Sequence, residues 1–294
     1  MISYQPKDWF TFIFRFHKAD TLRKLAPLIL SIIFYTIIVA YLELKYLNLT
    51  DNSEIKNISM MHSLLSFIIS LLLVFRTNTA YERWWEGRKL WGQLVNSSRS
   101  LSIKLHAILP NTYGDRDILR QIIPAYAFVL AYHLKNDKTK NSLPVGLEWL
   151  QLRPGTHLPN QVLKKIMEII QNGTNQGVIS AQQWLGLNVE IQAFADVCGA
   201  CERIRNTPIP YSYSVFLKKF IFFYVMTLPF SMVFLLGYWS VPVTAFIFYA
   251  LASMELIGEE IEEPFGQDAN DLPTLTIAEN IQKNVMEIID SAAS

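Results

Sequence analysis

Residues 72–92 read "LLVFRTNTAYERWWEGRKLWG". An apolar run ends at Phe75, and a segment dense in Arg, Glu, Lys and Trp follows with no Gly, Pro or Asn-rich linker between them. Because neither half contains a proline and no glycine lies at the crossing itself, the pattern predicts one helix that leaves an apolar medium and continues into water. Tryptophan and arginine at that level suit the boundary between hydrocarbon and headgroups. Working outward, Ile58 to Phe75 is just long enough to cross a membrane, although it carries His62, Ser63, Ser66 and Ser70. Ala26 to Leu44 spans a hydrocarbon core of about 30 Å comfortably. Phe220 to Trp239 and Val241 to Gly258 are two more spans, and the short "GYWS" connection forces them into a tight hairpin.

Composition agrees. Of 294 residues, 51% are hydrophobic and 17% charged, which is too oily for an average soluble domain. The net charge of +1 gives no bulk field for nucleic acid. Cys198 and Cys201 are the two cysteines, so a disulfide-stapled secreted fold is excluded. Lys and Arg gather before the first span (Lys7, Arg15, Lys18, Arg23, Lys24), after the second (Arg76, Arg83, Arg88, Lys89) and before the third (Arg203, Arg205, Lys218, Lys219). Four spans with both termini in the cytoplasm satisfy this asymmetry, giving a multi-pass protein of the cell inner (plasma) membrane.

The expected architecture is all-α. An amphipathic N-terminal helix occupies 1–25, membrane helices 26–75 and 220–258, a cytoplasmic helical region 76–219, and a cytoplasmic tail 259–294. Turn-forming clusters such as "PNTYGDRD" and "QNGTNQG" divide the cytoplasmic region, and no period-2 strand pattern stands out.

Several constellations invite a chemical reading. In the second span Phe67, Leu71 and Phe75 recur every fourth residue and form one stripe; His62, Ser66 and Ser70 form another. In a symmetric oligomer a ring of large apolar side chains makes a dry constriction, and a ring of serines a wet one. Periodicity equally allows the first stripe to touch lipid and the serines to pack between helices. Arg76, Arg83, Trp84 and Trp85 read as an inter-helix or inter-subunit joint, with Glu82 and Glu86 spaced for pairing along the helix. "CGAC" at 198–201 lies in a helical pattern, so its thiols read as packing residues rather than a redox pair. Pro208 and Pro210 fix an extended kink before the third span, and Pro264 ends the fourth. Beyond it Asp268, Asn270 and Asp271 offer oxygens suited to a hard cation, though not at the spacing of an EF-hand. Glu255, Glu259, Glu262 and Glu263 cluster upstream, and a metal-dependent membrane enzyme built on Glu255–Glu263 is the rival reading.

Three motifs together, "FRTNTAYERWWEGRKLWG" (75–92), "GACERIRNTPIPYSY" (199–213) and "EEIEEPFGQDANDLP" (259–273), with "FRFHKADTLRKL" at 14–25, resemble the bestrophin family in its bacterial and plant-plastid branch. The resemblance implies a homopentameric ion channel with one axial pore and no catalytic residue. It places an apolar neck at Phe67, Leu71 and Phe75, where Leu71 departs mildly from the family's Ile and Phe. A second constriction, the aperture, is implied upstream of "CGACERI", with Gln182 or Leu185 as candidates. Animal members hold calcium just after "PFG" of the third motif; the matching residues are Glu263, Asp268 and Asp271, but Ala269 and Asn270 interrupt the acidic run. No cofactor is required, and calcium is an option at the tail only. The expected permeants are small monovalent ions, with chloride favoured and sodium the alternative.

Overall fold

The computed structural model describes residues 21–47, 53–135, 148–153 and 155–290. The N-terminal amphipathic helix expected over 1–25 therefore lies, up to residue 20, outside the described residues. Eight α-helices appear among those described: α1 Thr21–Leu42, α2 Ser53–Ile108, α3 Arg116–Leu134, α4 Leu158–Asn175, α5 Ala181–Asn206, α6 Tyr211–Leu236, α7 Ser240–Glu262 and α8 Thr274–Asp290. No strand occurs among them, as the absence of any period-2 pattern predicts.

Helix α2 organises the molecule. Its 56 residues extend about 84 Å at 1.5 Å per residue. One end packs with α1, α6 and α7 around a core containing Ile69, Leu73, Leu217, Ile221 and Leu228. The other end packs with α3, α4, α5 and α8 around a larger core that includes Trp91, Leu94, Leu101, Phe194 and Val285. Arg76 stands between the two. Continuity through residues 72–92 is consistent with the lack of any proline there, and Ser98 and Ser102 further along spend their hydroxyls on the carbonyls of Leu94 and Ser98.

Among the described residues three stretches are long and apolar enough to cross a membrane: Thr21–Tyr46, Ser59–Ile108 and Tyr211–Glu262. The last is divided by a single 3-10 turn at Gly237–Trp239 into α6 and α7, which pack side by side. Gly237 takes φ of +54°, a conformation that favours glycine, so the expected hairpin has its turn residue. Tyr35 donates to the Met226 carbonyl at 2.8 Å, tying α1 to α6. Ser253 donates to Thr21 at 2.9 Å, tying α7 to α1.

Local signals set the remaining ends. Ser180 and Gln183 form a reciprocal capping box that starts α5. His157 caps α4 by accepting the Asn160 N–H at 3.2 Å. Pro208 and Pro210 separate α5 from α6, as their missing N–H groups and fixed φ require. Helix α7 stops at Glu262, just before Pro264, whose carbonyl then accepts the Leu272 N–H at 2.9 Å and closes the turn that leads to α8.

Candidate functional site

The neck candidates stand on the outer face of α2. Phe67, Leu71 and Phe75 are 69%, 46% and 57% exposed in the single subunit, whereas Ile69, Leu73 and Arg76 on the opposite face are buried. The stripe is thus free to meet an axis or lipid and does not serve the subunit's own core. The second stripe does not stay together. His62 is buried and bonded to Thr227 of α6 at 3.0 Å, while Ser70 is exposed and donates back to the Ser66 carbonyl. A drift of about 40° for each four-residue step carries the row from the packed side to the open side. Beyond Phe75 the same face of the helix, now followed in steps of three and four residues, carries Asn78, Glu82, Trp85, Lys89 and, further on, Asn96, all exposed. A dry surface therefore becomes a polar one along a single face.

Immediately behind that transition lies a buried charged junction. Arg76 is 1% exposed and pairs with Glu262 at 2.7 Å, with Glu255 a further 3.7 Å contact. Glu262 also accepts the Ile209 N–H at 2.6 Å, which holds the "TPIP" kink against the end of α7. Arg83, two turns below Arg76, donates to the carbonyls of Glu262 at 3.1 Å, Ile204 at 2.6 Å and Thr207. Trp84 donates to the Asn270 carbonyl at 3.0 Å, and Asn270 in turn donates to Glu260 at 2.7 Å. Lys24 reaches Glu260 from α1, and Lys218 reaches Glu259 at 2.9 Å. Trp85 takes no part in the junction: it is 48% exposed and stacks on Tyr81.

This arrangement sharpens the reading of the "YERWWEGRKLWG" motif. The joint lies between helices of one subunit, built by Arg76, Arg83 and Trp84. Glu86 does not pair along its own helix; it accepts from Arg203 of α5 at 2.7 Å. The partners of Arg76 lie about 180 residues away in the chain, so no local spacing pointed to them. Within the run Glu255, Glu259, Glu260 and Glu262 each face a cation: Lys218 for the first two, Lys24 for Glu260 and Arg76 for Glu262.

The other predicted residues separate. Gln182 and Leu185 are exposed in the first turns of α5, on a face continued by Val189 at 63% exposure. Asp271 is buried and its Oδ2 accepts the Asp268 N–H at 2.5 Å, whereas Glu263 and Asp268 point to solvent. These three do not converge as a ligand set. Burial pushes the Asp271 carboxyl up to about 7. Cys198 and Cys201 are free and buried within α5, with burial pushing the Cys198 thiol up to about 12, so they are packing residues. Among the described residues one group does gather ligand atoms within 4.8 Å: His133, His157 and Glu202. Glu202 follows "CGAC" directly, and its histidines come from two other elements, which hid the group from a search by spacing.

The family described as bacterial/fungal bestrophin protein matches residues 1–287. The chain belongs to the bestrophin family. A voltage-dependent anion channel-forming protein of Synechocystis is 36% identical over 231 residues, covering 76% of this bestrophin and 75% of the relative. The voltage-dependent anion channel-forming protein YneE of Escherichia coli K12 is 31% identical over 295 residues, covering 99% and 95%. Among solved structures, a variant of a bacterial bestrophin homologue from Klebsiella pneumoniae superposes with a TM-score of 0.78 at 27% identity, covering 91% of this bestrophin and all of that chain. Together with its long apolar helices, these matches make this bestrophin a membrane protein.

Proposed function

We propose that this bestrophin is an anion-conducting channel formed by five copies around one axis, with four spans in each copy and both termini in the cytoplasm. The observation that carries the reading is the division of labour on α2. Its inner face is committed to the subunit core and the Arg76 junction, while Phe67, Leu71 and Phe75 are left on an apolar outer face that turns polar below Phe75. Five such stripes around an axis make a narrow dewetted neck opening into a polar vestibule. In this reading Gln182 or Leu185 lines a second constriction at the vestibule exit. The buried junction holds each α2 at a fixed tilt, so the neck radius is set by packing rather than by a mobile loop.

The preference for anions rests on the channel-forming relatives, because an uncharged neck sets no sign. A second reading has its own observation. Glu82 is the first charged side chain below the neck on the same face, and five such carboxylates would favour a cation such as sodium. Purified protein in planar bilayers under asymmetric NaCl decides between them. A reversal potential near the chloride equilibrium value supports the anion channel, a value near sodium's supports the second reading, and no current overturns both.

A further inference from the structure

Away from the α2 stripe, two imidazoles and a carboxylate meet on the second helical bundle. His133 Nε2 and His157 Nε2 each lie 2.6 Å from the same oxygen, Oε1 of Glu202, and the rings are 4.6 Å apart between centroids. They come from three elements: the last turn of α3, the residue that caps α4, and the last two turns of α5. We propose that His133, His157 and Glu202 form a binding site for a first-row divalent transition metal, with zinc the ion that suits the donor set.

Two nitrogen donors and one carboxylate are a familiar zinc environment that leaves a fourth position for water, and imidazole disfavours calcium and magnesium. The side chains are 20%, 34% and 26% exposed, so an aqueous ion reaches them without the fold opening. Zinc bonds of about 2.0–2.1 Å in a tetrahedral arrangement need ligand atoms about 3.3 Å apart. Each nitrogen must therefore back away from Glu202 by less than about 1 Å, a rotamer adjustment.

The protons balance. His157 Nδ1 accepts the Asn160 N–H, so its Nε2 carries the ring proton and donates to Glu202. Metal takes the Nε2 lone pair of each ring, so the Nε2 protons of His133 and His157 both move to Nδ1, and at His157 the Asn160 amide passes to water at the exposed start of α4. The carboxylate, already ionised between two N–H donors, exchanges them for the metal. The bound ion would clip both flanks of the segment joining α3 to α4 onto α5. It would sit beside Arg203, which bonds Glu86 of α2, and Arg205, which donates to the His133 carbonyl at 2.5 Å.

The test uses the full chain in detergent, free of any polyhistidine tag, stripped with chelator and titrated with CoCl2 and then ZnCl2. The expected result is one cobalt per chain with the strong visible absorption of a tetrahedral site, displaced by zinc and unaffected by calcium. His157→Asn retains a cap acceptor for α4 and Glu202→Gln retains the side-chain shape; each is expected to weaken binding at least ~10-fold. In the wild-type chain, zinc should also shield His133 and His157 from diethyl pyrocarbonate, read by mass spectrometry, which needs no variant to fold. Absence of the cobalt spectrum, binding undiminished in both variants, or equal labelling with and without zinc would each overturn the site. Because the readout is metal on the protein, its failure leaves the channel reading untouched, and the reverse holds.

Discussion

Arg76 shows what a single residue does at the crossing. A guanidinium at 1% exposure is tolerable only because Glu262 bonds it at 2.7 Å and Glu255 lies close by. Removing the cation leaves two buried carboxylates without their shared counter-charge, with only the Ile209 N–H on Glu262 and Lys218 4.0 Å from Glu255. Arg76→Met is therefore expected to destabilise the subunit by about 3–5 kcal/mol, read as a lowered thermal midpoint in detergent. Arg76→Met combined with Glu262→Gln should recover part of that loss, since a charge is removed with its partner. Asp271 makes a different prediction. Its folded carboxyl holds a proton up to about 7, against an ordinary value of 3.8. Below 3.8 folded and unfolded chains are both protonated, and the group adds no slope. Between 3.8 and about 7 the unfolded chain gives up its proton while the fold keeps it, so stability falls as pH rises and levels off above that range. Asp271→Asn should flatten thermal midpoints measured across this window, and an unchanged slope would assign the dependence to other groups.

At the scale of one element, α2 was largely legible. The unbroken residues 72–92 predicted a helix running through the boundary, and the period placed Phe67, Leu71 and Phe75 together. What could not be read was the partner on each side. Gly87 looks like a weak point in a long helix, yet a Cβ there would stand 3.1 Å from Phe265 and 3.2 Å from Leu272, residues that arrive from beyond α7. Gly92, one and a half turns later, has only the flexible Arg88 guanidinium at 3.4 Å. The two glycines should respond oppositely. Gly87→Leu forces Phe265 out of its seat and is expected to cost about 1–3 kcal/mol. Gly92→Ala keeps the helix, gains propensity and should stabilise by about 0.5–1 kcal/mol. Thermal unfolding of the two variants in detergent checks both signs. The same limit explains the tail: Glu263, Asp268 and Asp271 sit close in sequence, but the turn closed by Pro264 and Leu272 buries Asp271 and leaves the other two outside.

At the scale of the whole molecule, two cores share one helix, and the polar junction at Arg76 divides them. The helical class and the apolar spans were readable because hydrophobic length and period are local properties. The direction of the neck stripe was not, because lipid and a pore axis both accept exposed Phe and Leu. Only the assembly distinguishes them, and that distinction can be measured. Phe67, Leu71 and Phe75 make little of the subunit core, so changing all three to Ala should leave the thermal midpoint of the subunit nearly unchanged. If the stripe lines the axis, three rings of large side chains become rings of methyls, the neck widens and wets, and unitary conductance rises several-fold. If the stripe faces lipid, conductance stays as it was, since the permeation path lies elsewhere. If it is a seam between copies, the oligomer weakens on size exclusion while the subunit stays folded. Bilayer recording beside size exclusion on the triple variant therefore separates three placements of one face, and raised conductance from an intact oligomer is the outcome expected here.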